Sequence, residues 1–349
     1  MIIRRVQISR RVRILFLLTA ALLTILALRS MHGPVTADSG SRTVMGTFAR
    51  IVVVAEEEET AEAAVENGFE EIFRVEGLMS SYIPDSDTGR VNAHAFDSPV
   101  QVSAETFEVI ERSIEFAKIT DGAFDITVGP LIDLFKEAEK KQIMPSQQQI
   151  EEAKSATGFE KIILDRDNLT IKFSADRMRL DLGGIAKGFA IDQAIRAIMK
   201  LPVSGAMVDI GGDIMSMGLT ADGRNWRIGL EDPGHPSGPL EIPENLMVLE
   251  LTNMAVTTSG DYRRFSLIGQ TRINHIIDSS AGLGANKLSS VTIIAGNAAD
   301  ADALATAVTV MGKEKGMKLI EGLPDTEAVI ITPEFEITKS SGMGRFITP

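Results

Sequence analysis

Between a strand-like run and a helix-like run the chain carries Asp181-Leu182-Gly183-Gly184-Ile185-Ala186-Lys187-Gly188. Glycines at such a turn let the backbone approach a ligand closely, and the amides that open a helix favour anions. The turn narrows the fold. It lacks the Gly-Lys-Ser/Thr ending of a Walker A loop. It is not Gly-x-Gly-x-x-Gly either, so a nicotinamide-dinucleotide fold is not supported. Two further loops share its character: Asp209-Ile210-Gly211-Gly212-Asp213 and Asp121-Gly122-Ala123-Phe124-Asp125. Each alone reads as a turn; three in one chain point to a shared phosphate and metal pocket.

Charge supports the metal. The chain of 349 residues has a formal net charge of −13, and its six arginines up to Arg29 precede the first acid, Asp38, which leaves −19 on residues 30–349. So acidic a body argues against nucleic acid as a partner, because phosphate backbones need a basic footprint. A phosphate-bearing ligand would need a metal ion to offset its charge. There are no cysteines, which excludes disulfides, thiolate metal sites, a cysteine nucleophile and a lipoprotein anchor.

Arg4, Arg5, Arg10, Arg11 and Arg13 precede an uncharged apolar run from Ile14 to Leu28. A basic region followed by an apolar one reads as an export signal, shorter than the ~20 residues of a comfortable membrane span. Residues 1–29 are therefore a signal peptide or an N-terminal membrane anchor, with both readings open. Val35-Thr36-Ala37 offers a cleavage point before Asp38. Residues 30–42 have a linker composition, and 43–349 form the body, expected in the periplasm or on the outer face of the cell membrane.

In the body, Phe48–Val54 reads as a strand, followed by a helix opened by Glu56–Glu59 with Val65, Phe69, Ile72 and Phe73 as its apolar stripe. Further helices are expected from Ser103, over 187–200 and over 298–311. Strands are expected at 206–210, 226–230, 247–251, 264–268, 290–295 and 328–332. Late strands that cluster as antiparallel pairs favour α+β over a doubly wound sheet. The expected fold is a single compact α+β body with mixed or antiparallel sheets and packed helices.

Asp302 and Thr306 stand four apart in a helical run, so their oxygens leave one face and suit Mg²⁺. An isolated pair of this kind is more often a helix-start acid and a threonine bonded to its own backbone. His275, in Asn274-His275-Ile276-Ile277-Asp278, would by itself read as structural. Tyr82, on the polar loop Ser80-Ser81-Tyr82-Ile83-Pro84-Asp85-Ser86, is suited either to stack on a planar ring or to pack the loop.

Taken in order, Met45-Gly46-Thr47, the Tyr82 loop, Gly122–Leu131, Asp181–Gly188, Gly211-Gly212-Asp213-Ile214, Glu231-Asp232-Pro233, Thr258-Ser259-Gly260-Asp261-Tyr262, His275–Asp278 and Ala301–Thr306 resemble the ApbE-type FAD:protein FMN transferase family. The resemblance implies a single α+β body with FAD in a cleft and Mg²⁺ at its pyrophosphate. Metal ligands then fall on the Gly184 carbonyl, Asp302 and Thr306. FAD contacts fall on Met45, Tyr82, Ala123, Phe124, Asp125, Asp181 and Lys187, and the base on His275. The implied reaction moves FMN from FAD to a Ser/Thr hydroxyl of an acceptor protein, a membrane redox-complex subunit, and releases AMP. A hydrolase splitting FAD into FMN and AMP, and a non-catalytic FAD-binding surface protein, remain as alternatives. The chain departs from the family after Asp278, where Ser279-Ser280-Ala281-Gly282 replaces the usual Pro-x-Thr-Gly.

Overall fold

A computed structural model describes residues 33–234, 245–260 and 265–348. The export segment 1–29 and the motif residues Asp261 and Tyr262 lie outside them. The chain opens with β1 (Val35–Asp38), β2 (Arg42–Val44) and β3 (Thr47–Ala55). Strand β1 pairs antiparallel with β3, Val35 opposite Ala55 and Asp38 opposite Val52. Within the segment 30–42 expected as linker, residues 35–38 form an edge strand. The linker composition is real, but the free edge of β3 supplies hydrogen bonds that four residues cannot find alone. A cut before Asp38 would remove most of that strand.

Acids suit the positive end of a helix, and Glu58 and Glu59 open α1 (Glu58–Met79). Val65, Phe69 and Ile72 are buried as expected, whereas Phe73 is 49% exposed. It lies at the margin of the stripe, its ring 6.3 Å from that of Phe69. There follow α2 (Asp87–His94), β4 (Val100–Gln101), α3 (Ala104–Ile119), α4 (Gly129–Lys141), α5 (Gln147–Ser155), β5 (Ile162–Asp165) and β6 (Thr170–Phe173). Helix α6 (Ala186–Ile198) leads into β7 (Val203–Ile210), β8 (Asp213–Gly218), β9 (Trp226–Glu231), β10 (Asn245–Leu251) and β11 (Met254–Gly260). The chain ends through β12 (Phe265–Ile268), β13 (Thr271–Asn274), β14 (Ile277–Asp278), β15 (Leu283–Gly284), β16 (Ser290–Ala295), α7 (Ala298–Met311), α8 (Lys313–Glu321), β17 (Glu327–Ile331) and β18 (Ile337–Lys339).

The main sheet runs β1-β3-β7-β8-β11-β16-β17-β18, with β2 also on β3, and its pairings are antiparallel. Both faces are covered, so its later strands read as unbroken apolar runs rather than alternations. In β16, Val291 and Ile293 join the core under the helices, while Ile294 joins a second core with Ile228, Leu230, Leu249 and Leu251 of the β9–β10 ribbon. On the helical face α1, α6 and β3 meet at Gly68. A Cβ there would stand 2.7 Å from Ile51 Cδ1 and 3.0 Å from Ile198 Cδ1. The α+β expectation holds.

Candidate active site

Helices α6 and α7 form one wall. The carbonyl of Ala298 would lie 2.2 Å from a Cβ at Gly188, so only glycine allows the two helices this close. Across that contact the Gly188 amide donates to Asp302 Oδ2 at 3.2 Å. One turn along α6, the buried Asp192 accepts from the amides of Ala298 and Ala299, at 2.8 and 3.0 Å, and so caps α7 from outside. Burial pushes the Asp192 carboxyl up to about 6, although these two amide bonds oppose the shift. Within α7, Asn297 caps Asp300, which fixes the register that places Asp302 and Thr306 one above the other.

The glycine turn closes over this wall. Asp181 Oδ1 accepts from the Gly183 amide at 2.8 Å, and the Asp181 amide donates to the Ile126 carbonyl at 2.8 Å. A Cβ on Gly184 would meet Thr306 Oγ1 at 3.0 Å and Phe124 Cε2 at 3.3 Å. Three of the expected site segments therefore converge at Gly184. The donor set suits a hard cation: a carboxylate that is 4% exposed, a threonine hydroxyl and a backbone carbonyl. Among the described residues no group of three or more His, Cys, Asp or Glu is placed to hold a metal ion; a cation here would rest on this mixed oxygen set. Such an ion offsets pyrophosphate charge and polarises its oxygens.

Lys187, expected among the FAD contacts, also has a partner within the chain. Its ammonium is paired with Asp213, which also accepts from the Thr258 amide at 3.2 Å. The lysine thus ties the start of α6 to β8 and β11.

The second wall is made of loops. Phe124 is fixed by an amide bond to Thr120 Oγ1 at 3.1 Å and an edge-on contact with Phe116. Asp125 Oδ1 accepts from the amide and hydroxyl of Thr127, at 2.8 and 2.7 Å. Burial raises the Asp125 carboxyl above its ordinary range, with Glu160 adding to the effect. Ala123 packs with Ile276, Ala285 and Val310, which brings the residue after His275 against α7. His275 itself is exposed between the buried Asn274 and Ile276. Its backbone is held by the Asn274 side chain, which donates to the Ala285 carbonyl at 2.7 Å and accepts from the Ile276 amide at 3.0 Å. After it, Asp278 Oδ1 accepts from the amides of Ser280 and Ala281 and from the Ser280 hydroxyl. A carboxylate-capped turn here supplies the restraint that the missing proline would have given.

Met45 and Tyr82 attach from further out. Met45 (φ 47°) and Gly46 (φ 70°) form the two-residue turn between β2 and β3, the left-handed geometry of tight hairpins. The Met45 amide donates to Glu76 Oε1 at 2.9 Å. Thr47 lies against Gly211 of the matching Gly211-Gly212 turn, Oγ1 2.9 Å from where a Cβ would stand. Tyr82 is 74% exposed; its hydroxyl accepts from Lys136 Nζ at 2.6 Å. Sequence reasoning did not single out Asp192, Glu76 or Lys136. Their partners are 31 to 107 positions away in the chain, and no local pattern announces them. A cleft of about 420 Å³ lined by Leu246, Ile331 and Phe335 contains none of the site residues.

The family model described as the ApbE family matches residues 45–330. An FAD:protein FMN transferase of Vibrio cholerae is 31% identical over 308 residues, 86% of this chain and 89% of that one. One from Haemophilus influenzae is 32% identical over 281 residues, covering 78% and 80%. The crystal structure of the ApbE protein from Thermotoga maritima superposes with a TM-score of 0.80 at 31% identity, over 90% of this chain and all of that one. Fold and loop set together define an enzyme of the transferase class. The chain belongs to the ApbE family.

Proposed function

We propose that the protein transfers FMN from FAD to a serine or threonine hydroxyl of an acceptor protein, with Mg²⁺ bound at Gly184, Asp302 and Thr306. The observation that carries this reading is the convergence of the glycine turn, α7 and the Phe124 loop at Gly184, in a chain whose relatives are named FAD:protein FMN transferases. The acceptor oxygen attacks the FMN-side phosphorus, its bond to the bridging pyrophosphate oxygen breaks, and AMP leaves with that oxygen. His275, exposed on a braced turn, takes the hydroxyl proton, a role for which an imidazole is suited near neutral pH. The α6–α7 wall holds the pyrophosphate end; Tyr82, Met45 and the 123–125 loop hold the rest of FAD. With the basic and apolar segment before Arg29 read as an export signal, cleaved or anchored, the enzyme works outside the cytoplasm, where a membrane redox subunit is the natural acceptor. No described helix is long and apolar enough to cross a membrane.

The test incubates the chain from Gly33 onward with FAD, Mg²⁺ and a peptide of the form Asp-Gly-x-Ser/Thr-Gly-Ala-Thr, followed by mass spectrometry with an EDTA control. A metal-dependent gain of one FMN with AMP release is expected. FMN and AMP in solution without labelled peptide would make the enzyme an FAD hydrolase. His275→Ala should slow transfer by ~10²–10⁴-fold while leaving FAD affinity unchanged; a collapse of affinity would move the base elsewhere.

A further inference from the structure

We infer that Lys136 is a positioning residue for FAD, acting through Tyr82; this rests on the proposed reading that FAD is the ligand. The Tyr82 loop is fixed yet its ring is not covered. Ser86, 2% exposed, donates its hydroxyl to the Ser80 carbonyl at 2.7 Å and accepts from the Gly89 amide at 2.8 Å. A Cβ on Gly89 would stand 2.2 Å from the Ile83 carbonyl, so the start of α2 is pressed onto the loop. The backbone under Tyr82 therefore cannot drift. Its side chain, 74% exposed, would still turn about its two torsions without a further hold.

Lys136 on α4 supplies that hold. Its Nζ donates to the Tyr82 hydroxyl at 2.6 Å and stands 4.7 Å from the ring centroid. A nitrogen within hydrogen-bond reach of the hydroxyl and 4.7 Å from the ring centroid holds the ring from its oxygen end. With the residue 74% exposed, most of the ring stays open to a flat ligand. The lysine is also unusual for its surroundings. On the same helix Asp133 pairs with Arg179 and Glu137 with Lys141, but among the described residues Lys136 has no carboxylate partner. In a body carrying −19, an unpaired ammonium pinned at the end of an exposed aromatic ring is a device that orders the platform before the ligand arrives. Ordering in advance removes part of the entropy cost of binding.

The experiment compares the full chain with Lys136→Met, Lys136→Arg, Tyr82→Leu and the double variant Lys136→Met/Tyr82→Leu, reading FAD binding by flavin fluorescence and the KM and kcat of transfer. Lys136→Met should raise the FAD dissociation constant and KM about three- to fivefold, the size of one exposed cation–aromatic contact, with kcat unchanged. Lys136→Arg, which keeps the cation and a donor, should restore wild-type values. In the Tyr82→Leu background, Lys136→Met should add nothing further. If Lys136→Met binds FAD as the wild type does, or if its loss persists undiminished without Tyr82, the role is overturned while FAD remains the ligand. A wild-type chain that binds no FAD would overturn both.

Discussion

The two walls of the site are built on opposite terms. The α6–α7 wall is helix packed on helix at glycine distance, its polar groups buried or half-buried and already bonded: Asp192 to two amides, Asp302 to Gly188, Lys187 to Asp213. The facing wall is a set of turns whose backbones are braced while the side chains that matter, Tyr82 and His275, stand in the open. The difference follows the chemistry expected of each. A hard cation and a pyrophosphate need oxygens that do not move, because the cost of arranging them would be subtracted from affinity. A protein substrate must reach the reacting phosphorus, and only exposed groups can meet it.

If that division is right, the largest single effect lies in the packed wall. Asp302→Ala removes the one carboxylate of the donor set, and metal-dependent transfer should fall on the order of 10³-fold or more, since an ion at a phosphoryl oxygen contributes several kcal/mol. Isothermal titration of Mg²⁺ should show binding lost in a chain that still gives a native circular dichroism spectrum. Full activity would remove Asp302 from the metal site.

A second test sharpens the claim that the packed wall carries a cost. Asp192 is raised from 3.8 to about 6 in the folded chain, so the folded state holds its proton more tightly than the unfolded one. Its contribution favours folding below pH 4 and is lost as pH rises through 6. The loss is roughly 3 kcal/mol, about two pH units at 1.36 kcal/mol each. Urea unfolding of the wild type and Asp192→Asn from pH 4 to 7.5 should show the asparagine variant gaining relative stability with rising pH. A constant difference would mean that Asp192 does not titrate as described.

Smaller effects probe the contact between the walls. Gly184→Ala would press a methyl onto Thr306 and Phe124, where the Cβ would stand 3.0 and 3.3 Å from the nearest atoms, costing about 1–3 kcal/mol as an overpacked site. Thermal unfolding should show the loss, and Mg²⁺ affinity should weaken with it. On the open wall, Ser280→Ala removes one of the three bonds that Asp278 Oδ1 accepts. It should cost only about 0.5–1.5 kcal/mol, with kcat changing little. A kcat effect larger than the stability effect would show that this turn sets the position of His275 after all.

The packed wall was also the more legible in sequence. Helix α7 was expected over 298–311 and spans those residues, because an alanine-rich run between two strand-like runs leaves few alternatives. The glycine turn announced itself by composition. What was not legible depends on partners distant in the chain. Nothing local to Lys187 announces its pairing with Asp213, 26 positions on. Val35–Asp38 reads as linker until β3 offers an edge. Phe73 has helical spacing on its side, but the spacing does not say where a stripe ends.

The burial of α7 has a consequence for how the protein breathes. A helix with Ala301, Asp302, Ala303, Leu304, Ala305, Ala307 and Val308 all buried belongs to the last part of a fold to open, and its amides should exchange with deuterium only through global unfolding. The amides of the Tyr82 loop and of the turn around His275 should exchange through local fluctuations. On the proposed function, turnover would then run on the fast-exchanging side alone, with flavin and acceptor arriving and leaving against a helix that does not open between cycles.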